Sequence, residues 1–334
     1  QVIDGGGEWE DVAIPHYGGP QGVATAFYRT QVHFNASDLA IGSTFICFKG
    51  VDYKCHVYLN GAYVGSHEGF FAPFEFDVSK WAQEGGNTIV VRVDNDAICM
   101  TNRAWGEPDW EGDKIYGATG PGWDEPGKGW HHCPPGMGIY QDVCIEHRPS
   151  VFIQDLFVRP LPGQDAIEVW VEVYNTTRQA QYIEIGYAVH GRNFQQEGVI
   201  EGRYAPLVKH VPGVGDMVKP NDHKMMAMTC GPGVNYFKIK ESFSNGRVWS
   251  LDEPWLYQLQ ARLLNLQGAV IDTAEQHFGM RSFHMDEVSI PKGKFFFNNE
   301  EIRLRGANTM GHLQQCVIKK DWDQLIDDIL LAKL

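Results

Sequence analysis

Apolar side chains recur with a period of two along most of this 334-residue chain, and a helical period appears only after Gly306. That switch constrains the fold more than any other feature, because a run patterned for strands cannot bury its apolar side as a helix. Residues 27–34 set Phe27, Arg29, Gln31 and His33 against Tyr28, Thr30, Val32 and Phe34. Residues 87–95 put Ile89, Val91 and Val93 on one face. Asn60-Gly61, between Val57-Tyr58-Leu59 and Ala62-Tyr63-Val64, is the strongest local signal. It reads as a two-residue hairpin whose turn needs positive φ. Residues 138–149 return to strand and close a first β-rich unit.

A second unit follows. Ile167, Val169, Val171 and Val173 alternate with Glu168, Trp170, Glu172 and Tyr174, and similar runs recur at 181–191, 224–230, 236–243, 256–265 and 270–283. Several strands in about 130 residues predict an immunoglobulin-like sandwich. A last hairpin is expected around Asn298-Asn299, with Ile302 and Leu304 on one side of its second strand. Trp322, Leu325, Ile326, Ile329 and Leu330 then fall on one helical face. Asp321 is placed as its N-cap and Gln324 as the capping-box partner. No cap or stop signal follows, so the chain is read as ending inside a helix.

Composition removes several function classes. The net charge is −14, which argues against nucleic acid, where affinity comes from cationic neutralisation of phosphate, and against anionic lipid. No apolar run is long enough for a membrane helix. Seven cysteines at wide spacing give neither a disulfide framework nor a metal knuckle, and most are read as small buried hydrophobes. No metal or cofactor is expected; a structural Ca²⁺ or Na⁺ on backbone carbonyls would leave no trace in such a reading. The chain opens at Gln1 without Met or an apolar leader. A removed signal peptide and a trimmed start both fit, and a periplasmic or secreted protein is favoured over a cytoplasmic one.

Phe, Tyr and Trp number 18, 13 and 10. Four of the tryptophans, Trp105, Trp110, Trp123 and Trp130, lie in a Gly- and Pro-rich stretch from 97 to 138 with little periodicity. Such stretches in compact domains are usually functional or mobile. Flat rings cover the apolar faces of pyranoses while Asp or His bonds the hydroxyls. Trp123, Asp124, Trp130 and His131 are therefore candidate sugar contacts, against the blander reading of a loop folded over the sandwiches. Asn35-Ala36-Ser37 and Asn175-Thr176-Thr177 have the form of glycosylation sequons, of a number expected by chance.

Four segments, in order, resemble one known family. Residues 48–79 ("FKGVDYKCHVYLNGAYVGSHEGFFAPFEFDVS") with 85–95 are similar to the jelly-roll sugar-binding domain of glycoside hydrolase family 2, the β-galactosidase, β-glucuronidase and β-mannosidase family. "GMGIYQDV" resembles the strand ending that domain, residues 248–283 resemble the end of the family's immunoglobulin-like domain, and "FFFNNEEIRLRGANTMGH" resembles the start of its (β/α)₈ barrel. The resemblance implies a mainly β chain: a jelly roll over 1–150, an immunoglobulin-like sandwich over 151–283, and the first βα unit of the barrel over 284–334. It implies a retaining exo-β-glycosidase, β-galactosidase-like, acting on terminal β-linked sugars, with carbohydrate as the partner. The alternatives are a stand-alone carbohydrate-binding module and an adhesion or scaffold protein. Self-association into a homo-oligomer is left open.

Retention requires two carboxylates about 5–5.5 Å apart. In the family both come from later barrel strands, so the catalytic pair is expected beyond Leu334. The chain's one Asn-Glu pair, Asn299-Glu300, falls in the hairpin and is read as a turn. Asn308 and His312 follow the C-terminal end of the first barrel strand, where such barrels build their sites, and are further substrate candidates. Arg305 is placed inside the barrel, in a structural role. The run Asn308-Thr309-Met310-Gly311-His312 departs from the Asn, basic residue, His and acid of many β-galactosidases.

Overall fold

The computed structural model describes residues 7–16, 24–69, 71–95, 137–195, 200–202, 208–218, 228–243, 245–306, 316 and 321–333. It divides into two compact units, residues 1–147 with 307–334, and residues 148–306.

The first unit is an antiparallel sandwich. One sheet has the order β1-β6-β3-β4, from β1 (Ala24–Phe34), β3 (Lys54–Leu59), β4 (Ala62–Glu68) and β6 (Gly85–Asn95). The other has the order β5-β2-β7, from β2 (Gly42–Phe48), β5 (Phe74–Asp77) and β7 (Val143–Pro149). A four-residue helix, α1 (Ala36–Leu39), links β1 to β2. The period-2 pattern becomes burial directly. On β3, Cys55, Val57 and Leu59 are fully buried and alternate with half-buried Lys54, His56 and Tyr58. They pack with Ile46, Phe48, Val78, Ile89, Val91, Val93, Met137 and Ile139. The β3–β4 turn has Asn60 at φ 51° and Gly61 at φ 80°, the paired left-handed residues of a type I′ hairpin.

The second unit is a two-sheet sandwich with its own core. Its first sheet is β13-β12-β15-β9-β8, from β8 (Val151–Leu161), β9 (Ala166–Asn175), β12 (Val208–Val211), β13 (Gly215–Val218) and β15 (Gly233–Ser242). Its second is β11-β10-β16-β17, from β10 (Gln181–Gly191), β11 (Ile200–Gly202), β16 (Tyr257–Leu264) and β17 (Val270–Phe278), with β14 (Met228–Cys230) also on β10. Ile167, Val169, Val171 and Val173 point into this core, as their alternation predicts. Trp170, on the other side of β9, donates its Nε1–H to Glu168 at 2.8 Å and lies under the Lys238 ammonium.

The second sequon is structural. Asn175 is 1% exposed, and its amide donates to the carbonyls of Gln179 and Cys230 while its oxygen accepts from the Thr177 N–H and hydroxyl.

β18 (Phe283–Asp286), β19 (Lys294–Phe297) and β20 (Glu300–Ile302) form a small antiparallel sheet in the same unit. Asn298 and Asn299, at φ 50° and 68°, make another type I′ turn, so Asn299-Glu300 is spent on a hairpin. The strand expected to run through Leu304 stops at Ile302, its last pairing being with Phe295; Leu304 is 61% exposed.

The helix after Asp321 forms as α2 (Trp322–Lys333). Asp321 caps it, accepting from the Gln324 N–H at 3.2 Å. The capping box is half made: the Gln324 side chain turns forward to Asp328, and the Asp321 N–H goes to the Cys316 carbonyl. Trp322, Ile326, Ile329 and Leu330 of the apolar face are all exposed. Among the described residues no helix is long and apolar enough to cross a membrane.

Candidate functional site

Trp123, Asp124, Trp130 and His131, and equally Asn308 and His312, lie outside the described residues. The residues to which the Trp-rich stretch returns are described, and Gly138, Ile139 and Tyr140 take part in a polar cluster on the first sandwich.

Asp52, in the β2–β3 connection, is 1% exposed. It forms a two-way backbone bridge with Gly138, each N–H donating to the other carbonyl at 2.9 Å. Residue 138 must be glycine. Its φ is +145°, and a Cβ there would meet the His16 carbonyl oxygen at 2.4 Å and the Tyr28 hydroxyl at 2.9 Å. This close approach joins three chain segments at one point. The His16 N–H donates to the Ile139 carbonyl at 2.7 Å, and His16 Nδ1 lies 2.9 Å from the Tyr28 hydroxyl.

The protonation of the cluster follows from burial. Burial pushes the Tyr28 phenol up, partly offset by the Ile139 amide facing its oxygen. The Tyr28 hydroxyl is thus held between the Ile139 amide and His16 Nδ1. Tyr140 is also pushed up, first by burial and then by the negative charge of Asp52. Both phenols stay protonated at neutral pH and act as hydrogen-bonding groups rather than bases.

One strand further on, His67 stacks on Phe74 with ring centroids 4.0 Å apart. Its Nε2 is buried and has no hydrogen-bond partner among the described residues. Burial lowers its pKa against the opposing pull of Glu68. The cluster thus offers a buried carboxylate, two neutral phenols and the His16 imidazole beside Gly138, where the described chain resumes after residue 136. This is hydrogen-bonding equipment for a hydroxyl-rich ligand. The cluster supplies no carboxylate pair for retaining hydrolysis among the described residues.

Reading by periodicity missed Asp52, Tyr140 and His16. The one available signal was Asp52 itself, an acid lodged between two strongly apolar strands.

Comparison with known proteins places this sandwich pair. Residues 11–149 match the family profile "Glycosyl hydrolases family 2, sugar binding domain", and residues 151–281 match "Glycosyl hydrolases family 2". A β-galactosidase of Oenococcus oeni is 25% identical over 314 residues, covering 94% of this chain and 26% of the relative. One from Priestia megaterium is 26% identical over 269 residues, covering 79% and 21%. The chain therefore spans about a quarter of the length of the curated relatives it matches. Among solved structures, Bacteroides uniformis β-glucuronidase superposes with a TM-score of 0.62 at 17% identity, over 89% of this chain and 31% of that one. The β-D-mannosidase of Dictyoglomus thermophilum gives 0.60 at 21% identity, over 85% and 33%. At such identities these likenesses speak for the fold. Two adjoining family domains, matched in sequence and carried by two antiparallel sandwiches, make this chain a member of glycosyl hydrolase family 2.

Proposed function

We propose that the chain is the non-catalytic N-terminal part of a retaining exo-β-glycosidase that removes terminal β-linked sugars, with a β-galactoside as the first substrate to test. The observation that carries this reading is the matching of both family domains, in order, with β-galactosidases aligned along 94% and 92% of the chain. In this reading residues 1–150 are the jelly roll, 151–283 the immunoglobulin-like sandwich and 284–334 the opening of the catalytic barrel. The exposed stripe of Trp322, Ile326, Ile329 and Leu330 supports the last assignment, since a barrel helix turns such a face to its strands. The Asn299-Glu300 turn supports the absence of the acid/base from this segment.

The role left to the first sandwich is to supply part of the sugar site. Trp123 and Trp130 would stack on the ring and Asp124 and His131 would bond hydroxyls. Asp52, Tyr140 and the His16–Tyr28 pair would anchor the foot of the loop. Asn308 and His312 are the further substrate contacts in this reading. No cofactor is assigned a step.

The test compares the full-length protein with residues 1–334 on nitrophenyl β-galactoside, β-glucuronide, β-mannoside and β-glucoside. The full-length protein is expected to release nitrophenol with retention, and residues 1–334 to release none. Turnover by residues 1–334 that a point substitution within them abolishes would overturn the assignment. In the full-length enzyme, Trp123→Ala and Trp130→Ala should each lower kcat/KM several-fold, about 1 kcal/mol or more.

A further inference from the structure

The sheet β5-β2-β7 turns one face to the sandwich core and one away from it. Ile46 and Phe48 of β2, Phe74 and Phe76 of β5, and Val143 and Ile145 of β7 belong to the core side. Alternation sends Glu75, Cys47, Cys144 and Glu146 to the other side. Glu75 is the cross-strand partner of Cys47. The Lys49 N–H donates to the Asp142 carbonyl at 3.0 Å, a register that brings Cys144 beside Cys47 from the opposite flank.

The side chains converge. Donor atoms of Cys47, Cys144 and Glu146 all lie within 4.8 Å of one another. The Cys47 thiol donates to Glu75 Oε2 at 3.6 Å and the Cys144 thiol to Glu146 Oε1 at 3.7 Å. Although it faces away from the core, Cys47 is only 6% exposed, and Cys144 is half-buried.

We propose that Cys47, Cys144 and Glu146 form a binding site for a thiophilic divalent cation of the Zn²⁺ class, with Glu75, which reaches Cys47, as the fourth ligand. Zn–S of about 2.3 Å and Zn–O of about 2.0–2.2 Å give a tetrahedron with edges near 3.5–3.8 Å, and the two S···O separations already match those edges. Two sulfurs favour Zn²⁺ over Mg²⁺ or Ca²⁺, which take all-oxygen sets. On binding, one dication replaces the two thiol protons, which are released to solvent, so affinity rises with pH. The donors sit on three neighbouring strands of a rigid sheet, so the site is assembled by folding. None of the four belongs to the proposed sugar site.

The test titrates reduced full-length protein with CoCl₂ and ZnCl₂. Co²⁺ should produce thiolate-to-metal charge-transfer absorption together with tetrahedral d–d bands, and Zn²⁺ should bleach both. Cys144→Ser should weaken the charge-transfer band by about half. Glu146→Gln should leave that band while weakening Zn²⁺ binding by about tenfold or more, a change a merely structural role for Glu146 would not produce. Glu75→Gln is the second oxygen variant should Cys47→Ser fail to fold. Absence of the charge-transfer band from the reduced protein would overturn the proposal. So would a band unchanged in Cys144→Ser, which would assign it to other cysteines, or a Cys47–Cys144 disulfide in protein isolated without reductant.

Discussion

Asn60 carries more than its turn, and its replacement by glycine separates the two roles. The turn demands positive φ, 51° here, which glycine adopts freely, so Asn60→Gly keeps the hairpin geometry. What it removes is the side chain. The Asn60 amide donates to the Trp81 carbonyl at 3.0 Å and to Asn87 Oδ1 at 2.8 Å, and its oxygen accepts the Thr88 N–H at 2.9 Å. These bonds tie the hairpin to the start of β6, where Leu59 pairs with Ile89. At about 1 kcal/mol net for each bond, the loss is about 3 kcal/mol. Relief of the left-handed backbone returns about 1 kcal/mol, leaving about 2 kcal/mol. Gly61→Ala is the complementary control. A Cβ at Gly61 meets nothing within 4 Å, so its cost of about 1–2 kcal/mol is purely conformational. A two-sandwich chain has no single unfolding free energy, so the assay is hydrogen exchange of peptides covering β3–β4 and β6, read by mass spectrometry. Asn60→Gly should speed exchange there roughly thirtyfold. A change under about threefold, with Gly61→Ala behaving as stated, would refute the reasoning about the side chain.

Two further outcomes follow from the second unit. Asn175→Ala strips a side chain with four hydrogen bonds from a buried position and should cost about 2–4 kcal/mol; exchange protection of β14 and β9 should fall together, and unchanged protection would show that water replaces the amide. Asp286 is held down to about 2 by Ser289, through side chain and backbone, and by the Val288 N–H. A carboxylate depressed in the folded state stabilises above its unfolded value of 3.8 and loses that effect as pH falls through about 2. The Val288 and Ser289 amide resonances should therefore titrate with a midpoint near 2, and a midpoint at 3.8 would contradict the turn as described.

Local physics made much of this chain readable from its residues. The I′ hairpins at Asn60-Gly61 and Asn298-Asn299, the alternation on β3 and β9, and the Asp321 cap depend on neighbours a few positions away, so the sequence carries them in plain form. The candidate site was less legible. Trp123, Asp124, Trp130 and His131 could be named for their chemistry, whereas Asp52 and Tyr140 acquire meaning only where Gly138 admits His16 and Tyr28 to the same point. Distance along the chain is the common cause. Cys47 and Cys144 show no metal spacing because the chain passes through the whole sandwich before bringing β7 beside β2. Asn175 reads as a sequon until folding delivers the Cys230 carbonyl to its amide. The alternation by itself determined that this chain builds β-sandwiches and which faces they bury. Which polar side chains meet was decided by strand order, because pairing between distant strands is selected by the packing of both faces at once.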